Sequence, residues 1–438
     1  MKKLYVLSIA LMCLGSSTYA QTIFYNNGAQ VAITDNCPVI AFGAVENTGV
    51  TALLKNKGDF NIESDFINRA GANADGFASG LGNYRVKGNW DNSGIFTADQ
   101  SNVYLAGNSQ QITGSSVTTF HNLILQNANS VKAQTIDAAV KGTLTLNQNE
   151  LFTGNNSMTI TNPAVGAIVQ NGVNDAFVSS TDVGRLIRAT NTTSEYLFPT
   201  GWQNGGTKKI REVSITPTNS DAHNFSVRFA QDNLSTTTTS SDGFSIATKQ
   251  GNVQQVNDVF YHLVSSSDAA PAALGIHYEQ AGDGAWKSIG RWQGQPQWED
   301  LLSAAAGAGQ AGSGRVRLTK NSWNPTKDHA HALINTQDVK YDFNFPNVFA
   351  PASTTAKPED IAFTIINKAD LVTLEELSVF NRWGEMVFNS KRDGSDSWNG
   401  QYQGKLQQQA NYVFLASVRK KDTNELFPPI SGNVTLVW

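Results

Sequence analysis

Residues 103–125 read VYLAGNSQQITGSSVTTFHNLIL, and this stretch decides the fold of the N-terminal region. Val103-Tyr104-Leu105 and Leu123-Ile124-Leu125 are short runs of strand-forming residues, and Gly107–Gly114 between them is rich in Asn, Gln, Ser and Gly. Alternating β-branched and aliphatic residues favour a pleated backbone, whereas Asn and Gly accept the positive φ angles of tight corners. We therefore interpret Gly107–Gly114 as one rung of stacked β-structure together with its corner.

The same pattern extends from about Ala29 to Gln170. The segment Lys57-Gly58-Asp59-Phe60-Asn61 returns as Lys87-Gly88-Asn89-Trp90-Asp91, with a looser echo from Lys141. Degenerate strand–turn units at spacings of roughly 20 to 50 residues are typical of solenoids, in which each unit buries its apolar face on the next. We predict a parallel β-solenoid for residues 21–174, with a layered sandwich as the alternative. The region loosely resembles the N-terminal repeats of adhesin-like surface proteins.

Between residues 175 and 337 the strands become longer and more aromatic. Turn signals such as Gly205-Gly206 and Asp283-Gly284 separate several of them, which predicts one β-sandwich or two small ones. The Ala- and Gly-rich stretch Ser303–Gly314 and the Ser- and Thr-rich stretch Ser235–Ser241 are expected to be flexible loops. The predicted strands are Glu195–Phe198, Arg211–Thr216, Phe225–Phe229, Val259–Val264, Leu274–Tyr278 and Val316–Thr319.

The first twenty residues have the layout of a secretory leader. Lys2 and Lys3 precede the apolar run Leu4–Leu14, and Ala20 ends a small-residue cleavage site. The apolar run is too short for a transmembrane helix, which needs about 20 residues. We predict a signal peptide at residues 1–20. No later segment is long and apolar enough to span a bilayer, so we expect no transmembrane anchor after the leader is removed.

Composition narrows the classes of partner. The formal net charge is −4, or −6 without the two leader lysines, and charged residues make up only 16% of the chain with no basic run. This low charge argues against nucleic acid and against anionic lipid as partners. Cys37 is the only cysteine beyond the predicted leader, so the mature chain has no pair to form an internal disulfide. Stability must therefore come from packing and backbone hydrogen bonds.

The most specific pattern lies near the C-terminus. The strand Leu377–Phe380 runs into Asn381-Arg382-Trp383-Gly384-Glu385 and returns as Met386-Val387-Phe388, which predicts a β-hairpin with a tight connection. Burying the rings of Trp383, Phe388 and Trp398 would contribute about 2–3 kcal/mol each to a small sandwich, but the same rings can also shape a recognition surface, and the sequence leaves both roles open. Arg382 and Glu385 are less easily explained by packing, because charges are rarely buried unpaired, so they are candidate recognition residues.

This pattern closely resembles the gliding-motility-associated C-terminal domain, the type B sorting domain of type IX secretion in Bacteroidota, over residues 338–438. The Asn-Arg-Trp-Gly core stands intact, and an opening Asn-x-Phe-x-Pro and a closing Gly-x-Val-x-Leu agree in order and spacing. The corresponding positions are Phe345, Pro346, Asn347, Phe349, Pro351, Asn381, Arg382, Trp383, Gly384, Glu385, Val387, Phe388, Trp398, Gly400, Tyr412 and Gly432.

The resemblance implies an Ig-like β-sandwich that directs the chain across the outer membrane, with the type IX machinery as its partner. Release or retention at the exterior of the outer membrane would follow. One departure concerns residues 352–360, which read ASTTAKPED where the family usually carries an Asn-, Gly- and Asp-rich loop. If that loop binds a cation in relatives, the resemblance does not extend such binding to this chain.

Catalytic and cofactor motifs are missing from the sequence. It contains no Gly-x-Ser-x-Gly elbow, His-Glu-x-x-His helix or glycine-rich phosphate loop, so we predict no catalytic residue, no metal site and no cofactor. His329 and His331 share one face of a predicted strand, but Asp328 would point to the other. A tryptophan cluster is better explained as sandwich core than as a sugar-stacking platform. Its members are Trp286, Trp292, Trp298 and Trp323.

The function predicted from these features is that of a secreted or cell-surface, non-enzymatic, adhesin-like protein. Low charge, Asn-, Thr-, Gly- and Ser-rich strands and the missing catalytic motifs favour it. Two alternatives stay open. One is a carbohydrate-binding or polysaccharide-active surface protein, whose partner would be an extracellular polysaccharide or another surface ligand. The other is an accessory subunit of the gliding or export apparatus. An exposed row of aromatics would favour the carbohydrate hypothesis, and buried tryptophans would count against it.

Overall fold

The computed structural model is 52% strand and 3% helix and begins with a β-solenoid of about seven turns, which confirms the predicted all-β fold class. The chain divides into two units, residues 1–337 and 338–438. Within the described residues, no helix is long and apolar enough to cross a membrane. The predicted signal peptide, most of the stretch 235–241 and Asp328 lie outside the described residues. The structure describes residues 23–76, 82–232, 234, 240–292, 297–324, 329–337, 341–353, 357, 360–367, 370–421 and 425–437.

Each turn of the solenoid contributes one strand to each of three parallel faces. The solenoid elements are β1 (Phe24–Asn27), β2 (Gln30–Ile33), β3 (Pro38–Ala41), β4 (Val45–Thr48), β5 (Leu53–Asn56), β6 (Asp59–Ile62), β7 (Phe66–Asn68), β8 (Asn73–Gly76), β9 (Asn83–Val86), β10 (Trp90–Asn92), β11 (Ile95–Thr97), β12 (Asn102–Leu105), β13 (Gln110–Thr113), β14 (Thr118–Phe120), β15 (Asn122–Leu125), β16 (Val131–Gln134), β17 (Ala138–Val140), β18 (Leu144–Thr145), β19 (Glu150–Phe152), β20 (Ser157–Ile160), a 3-10 turn (Val165–Ala167), β21 (Ile168–Val169), β22 (Phe177–Ser179) and β23 (Arg185–Thr190). The faces are β1-β4-β7-β10-β13-β16-β19-β22, β3-β6-β9-β12-β15-β18-β21, and a third split into β2-β5-β8-β11 and β14-β17-β20-β23.

A ladder of buried asparagines runs up the first face. Asn26 donates to Asn47 at 2.7 Å, Asn47 to Asn68 at 3.0 Å, and Asn68 to Asn92 at 2.8 Å, at spacings of 21, 21 and 24 residues. Each donating amide also bonds a backbone carbonyl at the next corner, such as Asn68 Nδ2 to Ile95 O at 3.1 Å. Because buried polar groups must be paired, the ladder fixes both the corner and the register of successive turns.

The echo between Lys57–Asn61 and Lys87–Asp91 does not mark equivalent positions in the stack. Phe60 lies on β6 and pairs with Tyr84, whereas Trp90 lies on β10 of another face and pairs with Phe66. Both rings point into the same fully buried interior. Any large apolar residue fits an inward position on any face, so sequence similarity alone does not give the register.

The middle region continues the solenoid without a break. Its elements are β24 (Tyr196–Phe198), β25 (Gly201–Asn204), β26 (Thr207–Ile210), β27 (Val213–Pro217), β28 (His223–Gln231), β29 (Val253–Val256), β30 (Phe260–Ser266), β31 (Ala272–Tyr278), α1 (Gln280–Asp283), β32 (Ser288–Trp292), β33 (Trp298–Asp300), β34 (Ala304–Ala308), β35 (Val316–Trp323) and β36 (His329–Thr336). Strand β23 pairs in parallel with β20 of the solenoid and antiparallel with β28 of the sandwich. One sheet and one hydrophobic cluster therefore run through both.

The prediction of a flexible loop at Ser303–Gly314 is wrong for its first half. Ala304–Ala308 forms β34, an edge strand that pairs with β35 in the sheet β24-β27-β31-β35-β34. All five of its residues are exposed. Its Ala- and Gly-rich composition carries little strand propensity, so the pairing with β35 supplies what the sequence of β34 lacks.

The C-terminal unit is built on the five-stranded sheet β38-β45-β44-β40-β41. Its elements are β37 (Phe343–Asn344), β38 (Val348–Phe349), β39 (Ile366–Asn367), β40 (Val372–Phe380), β41 (Met386–Asn389), α2 (Ser390–Asp393), β42 (Gln401–Tyr402), β43 (Lys405–Leu406), β44 (Ala410–Lys420) and β45 (Ile430–Leu436). The pairs β37–β39 and β42–β43 are separate two-stranded sheets. The unit has its own hydrophobic cluster, which includes Trp398, Phe363 and Phe349.

Candidate functional site

The opening segment of the C-terminal pattern joins the start of the unit to its last strand. Phe349 is 1% exposed, and β38 pairs in parallel with β45, so Phe349 lies opposite Leu436. Asn347 accepts a backbone hydrogen bond from Thr435 at 2.9 Å, and the Phe345 ring lies 4.9 Å from the Phe414 ring. Pro346 is buried and Pro351 is half-buried. These residues close the sandwich, which explains their places in the pattern.

The connection between β40 and β41 is held by one asparagine. Asn381 Oδ1 accepts hydrogen bonds from the backbone N–H groups of Trp383 and Glu385 at 3.0 Å each, and Asn381 Nδ2 donates to Glu385 Oε2 at 3.0 Å. Gly384 has a φ of +78°, which L side chains rarely adopt. Asn381, Gly384 and Glu385 therefore build the turn, and the hairpin prediction is confirmed by the antiparallel pairing of its two strands.

Trp383 lies outside the core, so its ring does not take the packing role. Its side chain is 80% exposed, and the Arg382 guanidinium carbon sits 4.9 Å from the ring centroid. Arg382 itself is exposed at the tip of the hairpin. The turn residues project both side chains into solvent, where they stabilise each other only through this cation–π contact, which contributes about 0.5–1 kcal/mol at exposed sites.

The remaining aromatic positions of the pattern are structural. Trp398 is fully buried, donates from Nε1 to Gln401 O at 2.9 Å, and lies 4.8 Å from the Tyr412 ring. Tyr412 donates to Gln408 O at 2.8 Å, four residues upstream, as a tyrosine corner does in Ig-like sandwiches. Burial raises the pKa of Tyr412. Phe388 and Val387 are 5% and 1% exposed, so both side chains pack in the core.

Two glycines of the pattern are required by close approach. Gly400 has a φ of +77°, and a Cβ there would lie 3.0 Å from Pro351 Cγ and 3.1 Å from a Leu436 methyl group. A Cβ on Gly432 would lie 2.7 Å from the Phe414 ring. Larger residues at either position would push apart the segments that close the sandwich.

A histidine, an aspartate and a serine lie together in the middle sandwich, as they do in some hydrolases. Their hydrogen bonds, however, do not connect the histidine to the serine hydroxyl. His223 Nδ1 bonds Asp268 at 2.5 Å, but the Ser266 hydroxyl donates to Asp268 at 2.8 Å rather than to the histidine. His223 Nε2 bonds Asn219 instead. Burial raises the pKa of Asp268, yet the hydrogen bonds from His223 and Ser266 outweigh it and leave that pKa lowered. In this arrangement the histidine does not activate the serine.

The histidines of β36 serve packing and backbone contacts. His331 is fully buried, accepts from Trp323 Nε1 at 3.0 Å and bonds the His329 carbonyl at 2.9 Å, while His329 bonds the Trp292 carbonyl at 3.1 Å. Among the described residues, no group of three His, Cys, Asp or Glu side chains is placed to hold a metal ion. Trp298 and Trp323 are 0% and 3% exposed, which makes them core residues.

A shallow surface depression lies on the solenoid. It has a volume of about 660 Å³ and lies where three successive corners stack, around Asn127, Asn147 and Asn171. Its remaining lining residues are Gln126, Ala128, Gln148 and Gly172. Amide groups donate and accept hydrogen bonds without carrying charge. The side chains at this site therefore suit a neutral, hydroxyl-rich ligand better than an ionic one.

The C-terminal unit thus combines a five-stranded sheet and two two-stranded sheets with one hydrophobic cluster, and it carries an exposed hairpin tip. Residues 343–431 match the family model of the CHU_C type IX secretion signal domain, which confirms the family resemblance seen in the sequence. The match supports export through type IX secretion to the cell surface or beyond, with the secretion machinery as a partner. Searches of curated proteins and of solved structures gave no match.

Four residues on the outer face of the C-terminal sheet were not among the predicted site residues. Phe380, Met386, Val413 and Leu415 form an apolar strip beside the hairpin tip. A signal for this strip exists in the sequence. Tyr412–Leu415 is apolar at every position, whereas a strand with one solvated face alternates apolar and polar residues.

Proposed function

We propose that this chain is a secreted, non-enzymatic, adhesin-like protein that residues 338–438 deliver to the cell surface through type IX secretion. The observation that carries the export part is the match of residues 343–431 to a secretion signal. That stretch lies within a unit that has its own hydrophobic core. The predicted leader at residues 1–20 would supply the first step, passage across the inner membrane.

The proposed adhesive role is supported by the construction of residues 23–337. The solenoid and the sandwich share one sheet through β23, so they form one continuous body rather than separate domains joined by a linker. A body of this kind presents long, repetitive faces and suits the display of binding surfaces. The proposed lack of enzymatic activity is supported by the contacts of His223, Ser266 and His331, which are engaged in structural hydrogen bonds.

The test of export compares the full chain with a chain that ends at Gln337, both carrying the natural leader, in a host with an intact type IX system. We expect the full chain to be accessible to protease on intact cells and the shortened chain to remain in the periplasm. The matched control is the full chain in a host that lacks an outer-membrane component of the system, where it should also stay inside. Equal surface exposure of the two chains would contradict the proposal.

A second candidate function is polysaccharide binding at the amide-lined depression. Its uncharged donors and acceptors favour this ligand class. Gln148 is exposed and has a φ of +61°, so Gln148→Gly removes the amide without straining the corner. We expect this change to weaken retention of the purified chain on neutral polysaccharide gels, whereas Asn155→Ala, an exposed position outside the depression, should not. If the parent chain, Gln148→Gly and Asn155→Ala each migrated equally in gels with and without polysaccharide, this candidate function would be excluded.

A further inference from the structure

We propose that the export machinery docks on one defined surface of the C-terminal unit, the tip-and-strip surface. It consists of the hairpin tip, Arg382 and Trp383, and the apolar strip of Phe380, Met386, Val413 and Leu415. The inference rests on the proposed export function and names the part of the secretion signal that the partner contacts.

The strip is continuous across three strands. Phe380 on β40 pairs with Met386 on β41 and with Val413 on β44, so the three side chains form one row on the same face of the sheet. Leu415 lies two residues further along β44 and therefore shares that face. Val413 and Leu415 are 48% and 47% exposed, and Phe380 and Met386 are half-buried. The opposite face of β44, with Tyr412 and Phe414, packs into the core.

The tip connects Phe380 to Met386 along the chain and carries the most exposed aromatic side chain among the described residues of the unit. Trp383 is 80% exposed, and the turn that carries it is fixed by hydrogen bonds of Asn381 and Glu385 in which its indole takes no part. The turn therefore does not need a tryptophan. A rigidly mounted, solvent-exposed tryptophan next to an arginine has the composition of a binding hot spot, because both residue types are enriched there.

The charges around the surface indicate the chemistry of the partner. Arg382 forms no ion pair in the described part of the chain, so its positive charge is available at one end of the strip. The neighbouring strand β45 is polar and uncharged where it pairs with the strip, with Ser431 and Asn433 opposite Leu415 and Val413. A complementary partner has an apolar groove with a carboxylate at the end that meets Arg382.

A protein groove fits these observations better than a membrane surface. Lipid-binding surfaces combine apolar side chains with several basic residues, whereas β45 carries serine and asparagine where it pairs with the strip. Residues 343–431 also match a secretion signal, whose implied partner is the secretion machinery. The strip and the tip both lie within that matched segment.

The test uses full-length variants in a host with the type IX system. Trp383→Ala removes the tip ring, and Val413→Thr with Leu415→Thr makes the strip polar while keeping β-propensity. We expect each to lower the surface-exposed fraction about 30-fold, which corresponds to the loss of about 2 kcal/mol of docking free energy. Leu406→Thr is the matched control, since Leu406 is 56% exposed on β43 and lies off the strip. It should be exported like the parent chain.

Two charge variants at Arg382 test the same surface without changing the apolar strip, so their result does not depend on whether a strip variant folds. Arg382 is exposed, so Arg382→Gln and Arg382→Glu leave the core unchanged. We expect Arg382→Glu to be exported several-fold less than Arg382→Gln, because a negative charge would face the partner's carboxylate. Parent-like export of the tip, strip and Arg382→Glu variants would overturn the assignment of this surface.

Two further comparisons distinguish a failure of the proposed export function from a failure of the proposed docking surface. If the chain ending at Gln337 is exported like the full chain, the proposed function itself fails. If that chain stays in the periplasm while the tip and strip variants leave normally, only the docking surface is wrong. A purified full chain that co-sediments with vesicles of phosphatidylethanolamine and lipopolysaccharide, and loses this binding with Trp383→Ala, would also overturn the proposal, in favour of a membrane surface.

Discussion

Asn68 shows how much of the solenoid's stability depends on a single buried amide. It accepts from Asn47 and donates to Asn92 and to the Ile95 carbonyl. Asn68→Ala takes a hydrogen-bond partner from the buried side chains of Asn47 and Asn92, so we expect the free energy of unfolding of the full chain to fall by about 2–4 kcal/mol. Urea unfolding followed by circular dichroism measures this loss.

The matched control for that change is Asn27→Ala. Asn27 is also a strand asparagine of the first face, but its side chain is exposed. Its replacement should change the free energy of unfolding by no more than about 0.5 kcal/mol. Equal losses at the two positions would mean that the ladder is not the source of the stabilisation.

Three buried histidines should make the first unit sensitive to acid. Burial lowers the pKa of His262 to about 4 and the pKa values of His277 and His331 to about 3. The unfolded chain protonates these side chains below about pH 6.5, whereas the folded chain keeps them neutral. We therefore expect the free energy of unfolding to fall as the pH drops from about 6.5 towards 4, by about 1.4 kcal/mol per pH unit for each histidine.

The charged groups that face these histidines act in two directions. The positive charges of Arg211, Arg291, Arg315 and Arg317 lower the histidine pKa values further. Burial raises the pKa of Glu212, which offsets part of the loss in acid. Urea unfolding at pH 7, 6 and 5 measures the slope, and His277→Gln should reduce it. An unchanged slope in that variant would show that His277 does not contribute.

At the scale of elements, the turns of the C-terminal unit determine how its strands close. Gly400 and Gly404 both have positive φ angles, but only at Gly400 would a Cβ contact neighbouring side chains, those of Pro351 and Leu436. Gly404→Ala should cost about 1–2 kcal/mol from backbone strain alone. Gly400→Ala should cost about 1–3 kcal/mol more, because it also overpacks the contact between β45 and the opening segment.

Hydrogen exchange of β44 amides distinguishes the two glycine variants. The slowest amides of this central strand report global opening of the C-terminal unit. Protection should fall further in Gly400→Ala than in Gly404→Ala. If both fell equally, the space around Gly400 would have no energetic consequence and its place in the pattern would reflect conformation only.

For individual elements, the sequence predicts the local backbone conformation better than it predicts which strands pair in register or which residues are buried. Period-2 alternation located β12, β15 and most strands of the sandwich, and Asn127, Asn129 and Asn147 do adopt the positive φ angles expected of corners. The solenoid register did not follow from the echo at Lys57 and Lys87, because inward positions on every face accept the same apolar residues. Composition also misjudged β34, whose order comes from a partner strand distant in sequence.

The β-turn of the candidate site could be predicted from the sequence, but the exposure of its side chains could not. Asn381 and Gly384 have a local conformational reason to stand where they do, which sequence reasoning can recover. Whether Trp383 packs or projects depends on the direction in which the completed turn aims it. That direction follows from the hydrogen bonds of Asn381 and from the pairing of β40 with β41, and neither is visible in a single residue's type.

At the scale of the molecule, the shared strand β23 should make residues 23–337 unfold together. Leu186 on β23 is fully buried and pairs with Met158 of the solenoid and Val227 of the sandwich. We expect Leu186→Ala to cost about 2–5 kcal/mol and to lower hydrogen-exchange protection in both regions at once.

Calorimetry of the full chain should then show two transitions, one for each unit, because the hydrophobic cluster of the C-terminal unit is separate from the two clusters of the first unit. Leu186→Ala should lower only the transition of the first unit. The matched variant Val434→Ala, at a fully buried position on β45, should lower only the other. A third transition, or a loss of protection in Leu186→Ala confined to the sandwich, would mean that the solenoid is an independent cooperative block. In that case the continuous sheet would join two domains without coupling their stability, and display of the solenoid would not depend on the sandwich beneath it.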